Sequence, residues 1–321
     1  MGKFINDIKC LAVQKAVYLS LYKGHKPNEW EPWKESKKTI YENGLICYND
    51  IRYGNSYPNS FFDIWYPDDK KEKKPVVVYF HGGGFIFGDK TSGDPLSVNN
   101  GDVSKLLEIV KSGYILVNAN YALAPKYRFP VQILQIDELF KYLLTHDEEL
   151  NIDMNHVCLA GSSAGAIMTE IYAACVCNQD YAQRFDLNPI MSSDKLKVLA
   201  IDEAALDAST FNKNMYAMLG CVSGTRKNSP DSDIAIINAK KYITDKYIPT
   251  WINASNEGGE NGPFAVEAKG VKAKLDAIGC PCTMIYFPDE NLPHGYMDQL
   301  STNEFAKQAF NSMMTFIKKY I

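Results

Sequence analysis

Two short motifs in the chain carry the residue types that acyl-transfer chemistry needs. One reads Gly-Ser-Ser-Ala-Gly over residues 161–165, a G-x-S-x-G pattern centred on Ser163, and the other reads His-Gly-Gly-Gly over residues 81–84. A serine hydroxyl between small residues can attack a carbonyl carbon when a tight turn exposes it. Consecutive glycines let backbone N–H groups approach a ligand closely and stabilise a developing oxyanion. Together the motifs predict a nucleophilic serine beside an oxyanion hole.

The donors of that oxyanion hole are predicted to be the backbone amides of Gly83, Gly84 and Ala164. A phosphate-binding loop is the rival interpretation of the glycines. It fails because no Gly-Lys-Ser/Thr follows and neither glycine cluster has the pattern G-x-G-x-x-G. His81, at the end of a predicted strand, is expected to support the glycine loop by hydrogen bonding rather than to transfer protons.

Elements that can position these motifs alternate along the chain. Apolar runs predict strands over 45–49, 61–66, 75–80, 114–118, 157–160, 197–201, 249–254 and 283–287, and helical spacing predicts helices over 103–111, 131–150, 164–177, 265–278 and 303–320. The alternation predicts an α/β fold, a mostly parallel twisted sheet with helices on both faces. Residues 203–246 break the pattern and are expected to form an excursion above the sheet.

The general base is predicted to be His294. The chain has five histidines, at positions 25, 81, 146, 156 and 294. In a fold of this kind the base follows the nucleophile and the acid in the chain, on a loop after the last strand. Of the five, His294 has that place, at the same carboxyl edge of the sheet as Ser163.

The composition excludes several other classes of function. Hydrophobic residues make up 46% of the chain and charged residues 22%, with a net charge of −4. No long basic block is available to meet phosphates, so no nucleic-acid partner is expected. No stretch reaches the roughly 18 apolar residues of a membrane span, and the N-terminus is interpreted as an amphipathic helix rather than a signal peptide. We therefore expect no membrane partner and a cytoplasmic location.

Cysteine and histidine spacing gives no support for a metal site. The chain has eight cysteines, two pairs of which are spaced C-x-C. That spacing is not typical of zinc ligands, and most of the cysteines lie in apolar runs. They are expected to be buried, reduced side chains, as the predicted compartment favours.

The motifs together resemble the hormone-sensitive-lipase-like branch of the α/β-hydrolase esterases. The resemblance also rests on Tyr-x-Leu-Ala-Pro followed by Phe-Pro over residues 121–130 and on Pro-His-Gly over residues 293–295, in matching order across about residues 60–320. It implies one α/β-hydrolase domain over residues 1–321, with a small helical cap from about 1–40 and 203–246. It further implies Ser163 as nucleophile, His294 as base, esters of short acyl chains as substrates and no cofactor.

The chain departs from this family at the acid of the catalytic triad. The family's acid comes just after the strand predicted over 249–254, where counting reaches Gly258 or Gly262. Glu257 and Glu260 are the carboxylates within reach. Glu257 is the predicted acid because it follows the strand directly and precedes two mobile glycines. Glu260, or a carboxylate from elsewhere in the chain, is the alternative.

These observations predict a serine esterase that hydrolyses small, short-chain acyl esters through an acyl-enzyme, with no metal or cofactor. A deacetylase, a formamidase or a lactonase would share the motifs, and the natural acyl and alcohol groups and the oligomeric state are left open. A catalytically weak relative that binds a small ligand in the same pocket is the other class of function considered. The pocket is expected to be lined by Phe85, Phe87, Phe211, Met215 and Tyr216.

Overall fold

A twisted sheet forms the centre of the computed structural model, which describes residues 2–21, 38–41, 44–68, 72–90, 104–224 and 237–321. Its strands are β1 (Lys38–Ile40), β2 (Ile46–Arg52), β3 (Phe61–Tyr66), β4 (Lys74–Phe80), β5 (Ile115–Ala119), β6 (Ile152–Ser162), β7 (Leu196–Asp202), β8 (Thr250–Asn253) and β9 (Cys282–Ile285). They lie in the order β1-β2-β3-β5-β4-β6-β7-β8-β9. The pairs β1–β2, β2–β3 and β3–β5 are antiparallel, and the remaining neighbours are parallel.

Helices cover both faces of the sheet, as the alternating sequence pattern predicts. They are α1 (Gly2–Leu21), α2 (Ser104–Lys111), α3 (Val131–Thr145), α4 (Asp147–Leu150), α5 (Ala164–Cys177), α6 (Gln179–Ala182), α7 (Lys213–Ser223), α8 (Pro263–Ala277) and α9 (Glu304–Tyr320). Side chains of α3, α5 and α8 share one hydrophobic core with one face of the sheet. Side chains of α2 and α9 share a second core with the other face. The central strands are apolar throughout because both of their faces are buried.

The element boundaries differ from the sequence prediction at a few places. The helix predicted over 131–150 is divided at His146, whose N–H still donates to the carbonyl oxygen of Tyr142. Strand β6 begins at Ile152 rather than at 157, because its first residues pair with the start of β4. Strand β1 is too short for its sequence to signal it, since three residues give no measurable alternation.

Helix α1 packs against α7, on the side of the molecule where the sequence predicts a cap. The side chain of Gln14 donates to the carbonyl oxygens of Ile86, at 2.7 Å, and Ala124, at 3.1 Å. A disulfide joins Cys10 to Cys221, with Cα atoms 6.8 Å apart. The expectation that all cysteines are reduced is therefore wrong for this pair, since folding brings together two residues 211 positions apart. Parts of the predicted cap, residues 22–37 and 225–236, lie outside the described residues.

None of the helices in the described part of the chain combines the length and the apolar character that crossing a lipid bilayer requires.

Candidate active site

Ser163 lies at the tight turn between β6 and α5. Its backbone has φ 54° and ψ −116°, a strained conformation for a residue with a side chain. A Cβ atom at Gly161 would lie 2.4 Å from the carbonyl carbon of Gly165, and one at Gly165 would lie 2.0 Å from the carbonyl oxygen of Phe80. Both flanking positions therefore require glycine. The turn exposes the Ser163 hydroxyl at the carboxyl edge of the sheet, as the G-x-S-x-G pattern predicts.

His294 contacts this hydroxyl from the loop after β9. Its Nε2 lies 2.9 Å from the Ser163 Oγ, a hydrogen bond in which the serine donates when Nε2 is unprotonated. The ring of Phe264, at the start of α8, stacks on the imidazole with centroids 4.3 Å apart and an interplanar angle of 7°. The structure thus brings together the two residues that the sequence assigns as nucleophile and base.

The carboxylate beside His294 is that of Glu203, which corrects the sequence interpretation. The Glu203 Oε2 lies 2.7 Å from the His294 Nδ1. Glu257 and Glu260 are exposed, and neither forms an ion pair with His294 in the described residues. Glu257 only lines the neighbouring cavity. The chain places its carboxylate one strand earlier than the family position, after β7 instead of β8.

Glu203 is held rigidly at the end of β7. Its side chain is fully buried, and its backbone adopts φ 62°, which turns the chain sharply out of the strand. The Glu203 N–H donates to the carbonyl oxygen of Asn253 at 3.0 Å, and Oε2 also accepts a hydrogen bond of 2.6 Å from the N–H of Gly295. One sequence signal could have found this residue: Asp202 and Glu203 are adjacent acids directly after a buried strand.

The two side chains change each other's acidity. Burial lowers the pKa of His294, but the Glu203 carboxylate outweighs burial, so the pKa of His294 is raised above its ordinary value of 6.5. Burial raises the pKa of Glu203, and the contact with His294 offsets part of that rise. A carboxylate at this place can fix the imidazole tautomer and stabilise the imidazolium that forms when His294 accepts a proton.

This pKa shift predicts the acid limb of the pH profile. A base must be unprotonated, so kcat/KM is expected to fall as the pH drops through the raised pKa of His294. The groups that face the imidazole and raise its pKa are Glu203, Asp202 and Glu257. The measurement is kcat/KM for p-nitrophenyl acetate between pH 4.5 and 9, with the spontaneous hydrolysis subtracted. A rate that stays constant from neutral pH to pH 4.5 would contradict the assignment of His294 as the base.

The glycine loop places free amides beside Ser163. Gly83 and Gly84 have φ values of 103° and 58°, and among the described residues neither amide has a hydrogen-bond acceptor. The Gly83 carbonyl oxygen instead accepts from the amides of Ile86 and Phe87, which closes the turn. Ala164 is the first residue of α5, where backbone amides have no partner within the helix. These are the amides that the sequence assigns to an oxyanion hole.

His81 supports this loop and is unsuited to proton transfer near neutral pH. Burial lowers the pKa of His81 to about 4. Its ring stacks on Tyr121, with centroids 4.4 Å apart, and its Nδ1 lies 2.7 Å from the carbonyl oxygen of Gly82. The Tyr121 hydroxyl donates to the carbonyl oxygens of His81 and Gly82 at 3.0 and 3.1 Å. These contacts fix the strand end from which the glycines extend.

Two cavities of different chemistry meet at Ser163 and His294. The smaller, of about 220 Å³, is mostly apolar and is lined by side chains that include Phe85, Phe129, Ile167, Ile171, Phe211, Met215, Leu219 and Phe264. We call it the apolar cavity. The larger, of about 550 Å³, contains polar side chains and is lined by residues that include Tyr79, His81, Phe87, Lys105 and Asp298. We call it the polar cavity.

The predicted pocket residues are divided between these spaces. Phe85, Phe211 and Met215 line the apolar cavity as expected. Phe87 lies instead on the polar cavity, because the chain turns at Gly83 and Gly84. Tyr216 does not line either cavity and packs behind Phe211, with ring centroids 5.9 Å apart. The sequence analysis missed Phe129 and Phe264, which distant elements contribute.

Comparisons with known proteins agree with this arrangement. The family model described as BD-FAE matches residues 62–256. The chain is 31% identical over 99 residues to esterase LipI of Mycobacterium tuberculosis, a match that covers 31% of this chain and 28% of LipI. It is 28% identical over 110 residues to carboxylesterase NlhH of the same species, covering 34% of this chain and 32% of NlhH. These matches span less than a third of either relative.

Solved esterase structures share the fold along nearly the whole chain. Esterase B from Lactobacillus rhamnosis superposes with a TM-score of 0.71 at 16% identity, covering 98% of this chain and 96% of that one. Esterase LipW from Mycobacterium marinum superposes with a TM-score of 0.67 at 18% identity, covering 99% and 90%. The predicted fold class and the predicted resemblance are confirmed. Because the BD-FAE model matches more than half of its length, the chain belongs to the BD-FAE family of α/β-hydrolases.

Proposed function

We propose that this chain is a serine carboxylesterase that hydrolyses small esters of short acyl chains. One observation carries the proposal: Ser163, His294 and Glu203 form a continuous line of contacts, of 2.9 Å and 2.7 Å, beside the free amides of the glycine loop. The order of the three residues in the chain, serine then acid then histidine, is typical of α/β-hydrolases. The esterase and carboxylesterase names of LipI and NlhH support the same reaction.

The reaction would proceed through an acyl-enzyme. The Ser163 Oγ attacks the ester carbonyl carbon while the His294 Nε2 takes the hydroxyl proton. Glu203 stabilises the resulting imidazolium, and the amides of Gly83, Gly84 and Ala164 donate to the oxyanion. His294 then gives its proton to the departing alcohol oxygen. Water attacks the acyl-enzyme with His294 again as the base, which releases the acid and restores Ser163.

The architecture suggests how this site is covered. We propose that the chain is one α/β-hydrolase domain and that α1 and α7 belong to its helical cap. Met215 and Leu219 of α7 line the apolar cavity, so this helix would close the site from above. The cytoplasmic location stays a prediction, and the disulfide between Cys10 and Cys221 is at odds with the reduced thiols expected there.

Covalent labelling tests the proposed function directly. The protein is incubated with diethyl p-nitrophenyl phosphate, which phosphorylates activated serines, and its hydrolysis of p-nitrophenyl acetate is followed in parallel. We expect release of one equivalent of p-nitrophenolate, loss of esterase activity in step with it, and a diethylphosphoryl group on the peptide that contains Ser163. Hydrolysis no faster than in buffer, with no labelling, would instead favour the weak relative that binds a ligand.

The apolar cavity predicts the preferred acyl chain. Its volume of about 220 Å³ lies below the range of roughly 300 to 1,000 Å³ that is typical of drug-sized ligand sites. We expect kcat/KM to be highest for p-nitrophenyl esters from acetyl to butyryl and to decline by octanoyl. Phe211→Ala removes an aromatic side chain from the cavity wall and should extend the range to longer chains. A wild-type preference for palmitoyl esters would overturn the prediction.

A further inference from the structure

The polar cavity contains a buried ion cluster that the proposed hydrolysis does not use. The Lys105 ammonium group is only 6% exposed in its side chain and lies 3.0 Å from the Asp202 Oδ2 and 2.7 Å from the Asp298 Oδ1. The ring of Tyr79 lies beside it, with the ammonium 5.7 Å from the ring centroid. The paired carboxylates hold the pKa of Lys105 above its ordinary value in spite of burial, so this group stays charged.

Asp298 differs from the rest of the cluster because it is accessible. Its side chain is 59% exposed, whereas that of Asp202 is 8% exposed. One oxygen of Asp298 is fixed by Lys105, and the carboxylate lines the same cavity as Ser163 and His294. The result is a hydrogen-bond acceptor with a fixed position at the wall of a space that opens on the nucleophile.

A chain of polar contacts holds this acceptor to the catalytic strands. The Asn253 side chain donates to the Asp202 Oδ1 at 2.9 Å, and the Tyr296 hydroxyl donates to the Asn253 Oδ1 at 2.5 Å. These residues are buried, so the cluster cannot be replaced by water at low cost. A cluster of this kind on one wall of a cavity is typical of a built recognition site rather than a solvated surface.

The charges of the cluster indicate the class of ligand. One ammonium and two carboxylates leave a net charge of −1, which disfavours a carboxylate or phosphate on the ligand. An accessible carboxylate oxygen accepts hydrogen bonds and prefers donors such as hydroxyl groups. The alkyl part of an acyl group has no such donors and is better matched by the apolar cavity on the other side of Ser163.

We propose that the polar cavity binds the alcohol half of the ester, that this half carries several hydroxyl groups, and that Asp298 accepts hydrogen bonds from them. The proposal rests on the proposed ester hydrolysis and adds its substrate class, esters of polyhydroxylated alcohols. His294 lines both cavities, so it can protonate the alcohol oxygen that leaves from the polar side. Asp298 is then a specificity-determining residue, and Lys105 is a positioning residue that orients it.

Esters that share an acyl group test this proposal. We compare kcat/KM for ethyl butyrate, glycerol 1-monobutyrate and 6-O-butyryl-D-glucose by pH-stat titration, in the wild type, in Asp298→Asn and in Asp289→Asn. Asp289 is an exposed carboxylate on the loop after β9 that does not line either cavity, so it is the matched control. The glycerol and glucose esters distinguish a short polyol from a sugar as the source of the hydroxyl groups.

The wild type is expected to prefer at least one hydroxylated ester over ethyl butyrate by about tenfold or more, the effect of a charge-assisted hydrogen bond. Asp298→Asn should reduce that preference to below about threefold, mainly through KM, and Asp289→Asn should retain it. Equal hydrolysis of all three esters by the wild type, or an unchanged preference in folded Asp298→Asn, would overturn the proposal. If Asp298→Asn does not fold, the wild-type preference decides. A wild type that hydrolyses none of the esters contradicts the proposed function instead.

Discussion

Ser163→Ala is expected to lower kcat for p-nitrophenyl acetate by about ten-thousandfold or more, because it removes the atom that forms the acyl-enzyme. The Ser163 backbone conformation, with φ 54°, is tolerated by alanine as well as by serine. The change removes one hydroxyl from a site that is open to two cavities, so the fold should persist. The measurement is steady-state hydrolysis together with thermal unfolding of both proteins.

A matched control separates this effect from a general loss of structure. Ser112 is an exposed serine that follows α2, and its hydroxyl donates only to the carbonyl oxygen of Glu108. Ser112→Ala should therefore keep wild-type kinetics. Ser163→Ala protein that is folded but still hydrolyses the ester at more than about a tenth of the wild-type rate would exclude Ser163 as the nucleophile.

The nucleophile and the base could be predicted from sequence because local chemistry fixes their positions. The G-x-S-x-G turn requires glycine at 161 and 165, where a Cβ would overlap the backbone, and this requirement is visible in one dimension. His294 could be found because a loop after the last parallel strand ends at the same edge of the sheet. The strand and helix alternation fixed that edge before any contact was known.

The acid could not be placed by the same reasoning, since several strands end at this edge of the sheet. Counting along the loop after β8 reached Glu257, which folding leaves exposed. The contact with His294 instead depends on the left-handed backbone of Glu203 and on a hydrogen bond from Gly295, which is 92 positions away. The disulfide between Cys10 and Cys221 and the stacking of Phe264 on His294 were missed for the same reason. Such long-range contacts have no local pattern in the sequence.

Glu203→Gln is expected to lower kcat by about a hundredfold to ten-thousandfold while leaving KM within a few-fold, because the contact matters most when His294 becomes charged. Glutamine has nearly the same shape as glutamate but no charge, so it cannot stabilise the imidazolium. The native carboxylate is buried and its pKa is raised, which means that burying its charge opposes folding. A neutral amide at this position should therefore leave the thermal unfolding temperature close to that of the wild type.

The pH profile of Glu203→Gln distinguishes an electrostatic role from a merely structural one. The Glu203 carboxylate is the main group that raises the pKa of His294, so its removal should move the acid limb of kcat/KM to lower pH. Glu260→Gln, which removes an exposed carboxylate, is the matched control and should keep both the rate and the pH profile. Glu257→Gln tests the rival position: a large loss of kcat there, with near wild-type kinetics in Glu203→Gln, would return the acid to the loop after β8. If Glu203→Gln loses activity but its acid limb does not move, the residue acts by holding the Gly295 loop in place and not by its charge.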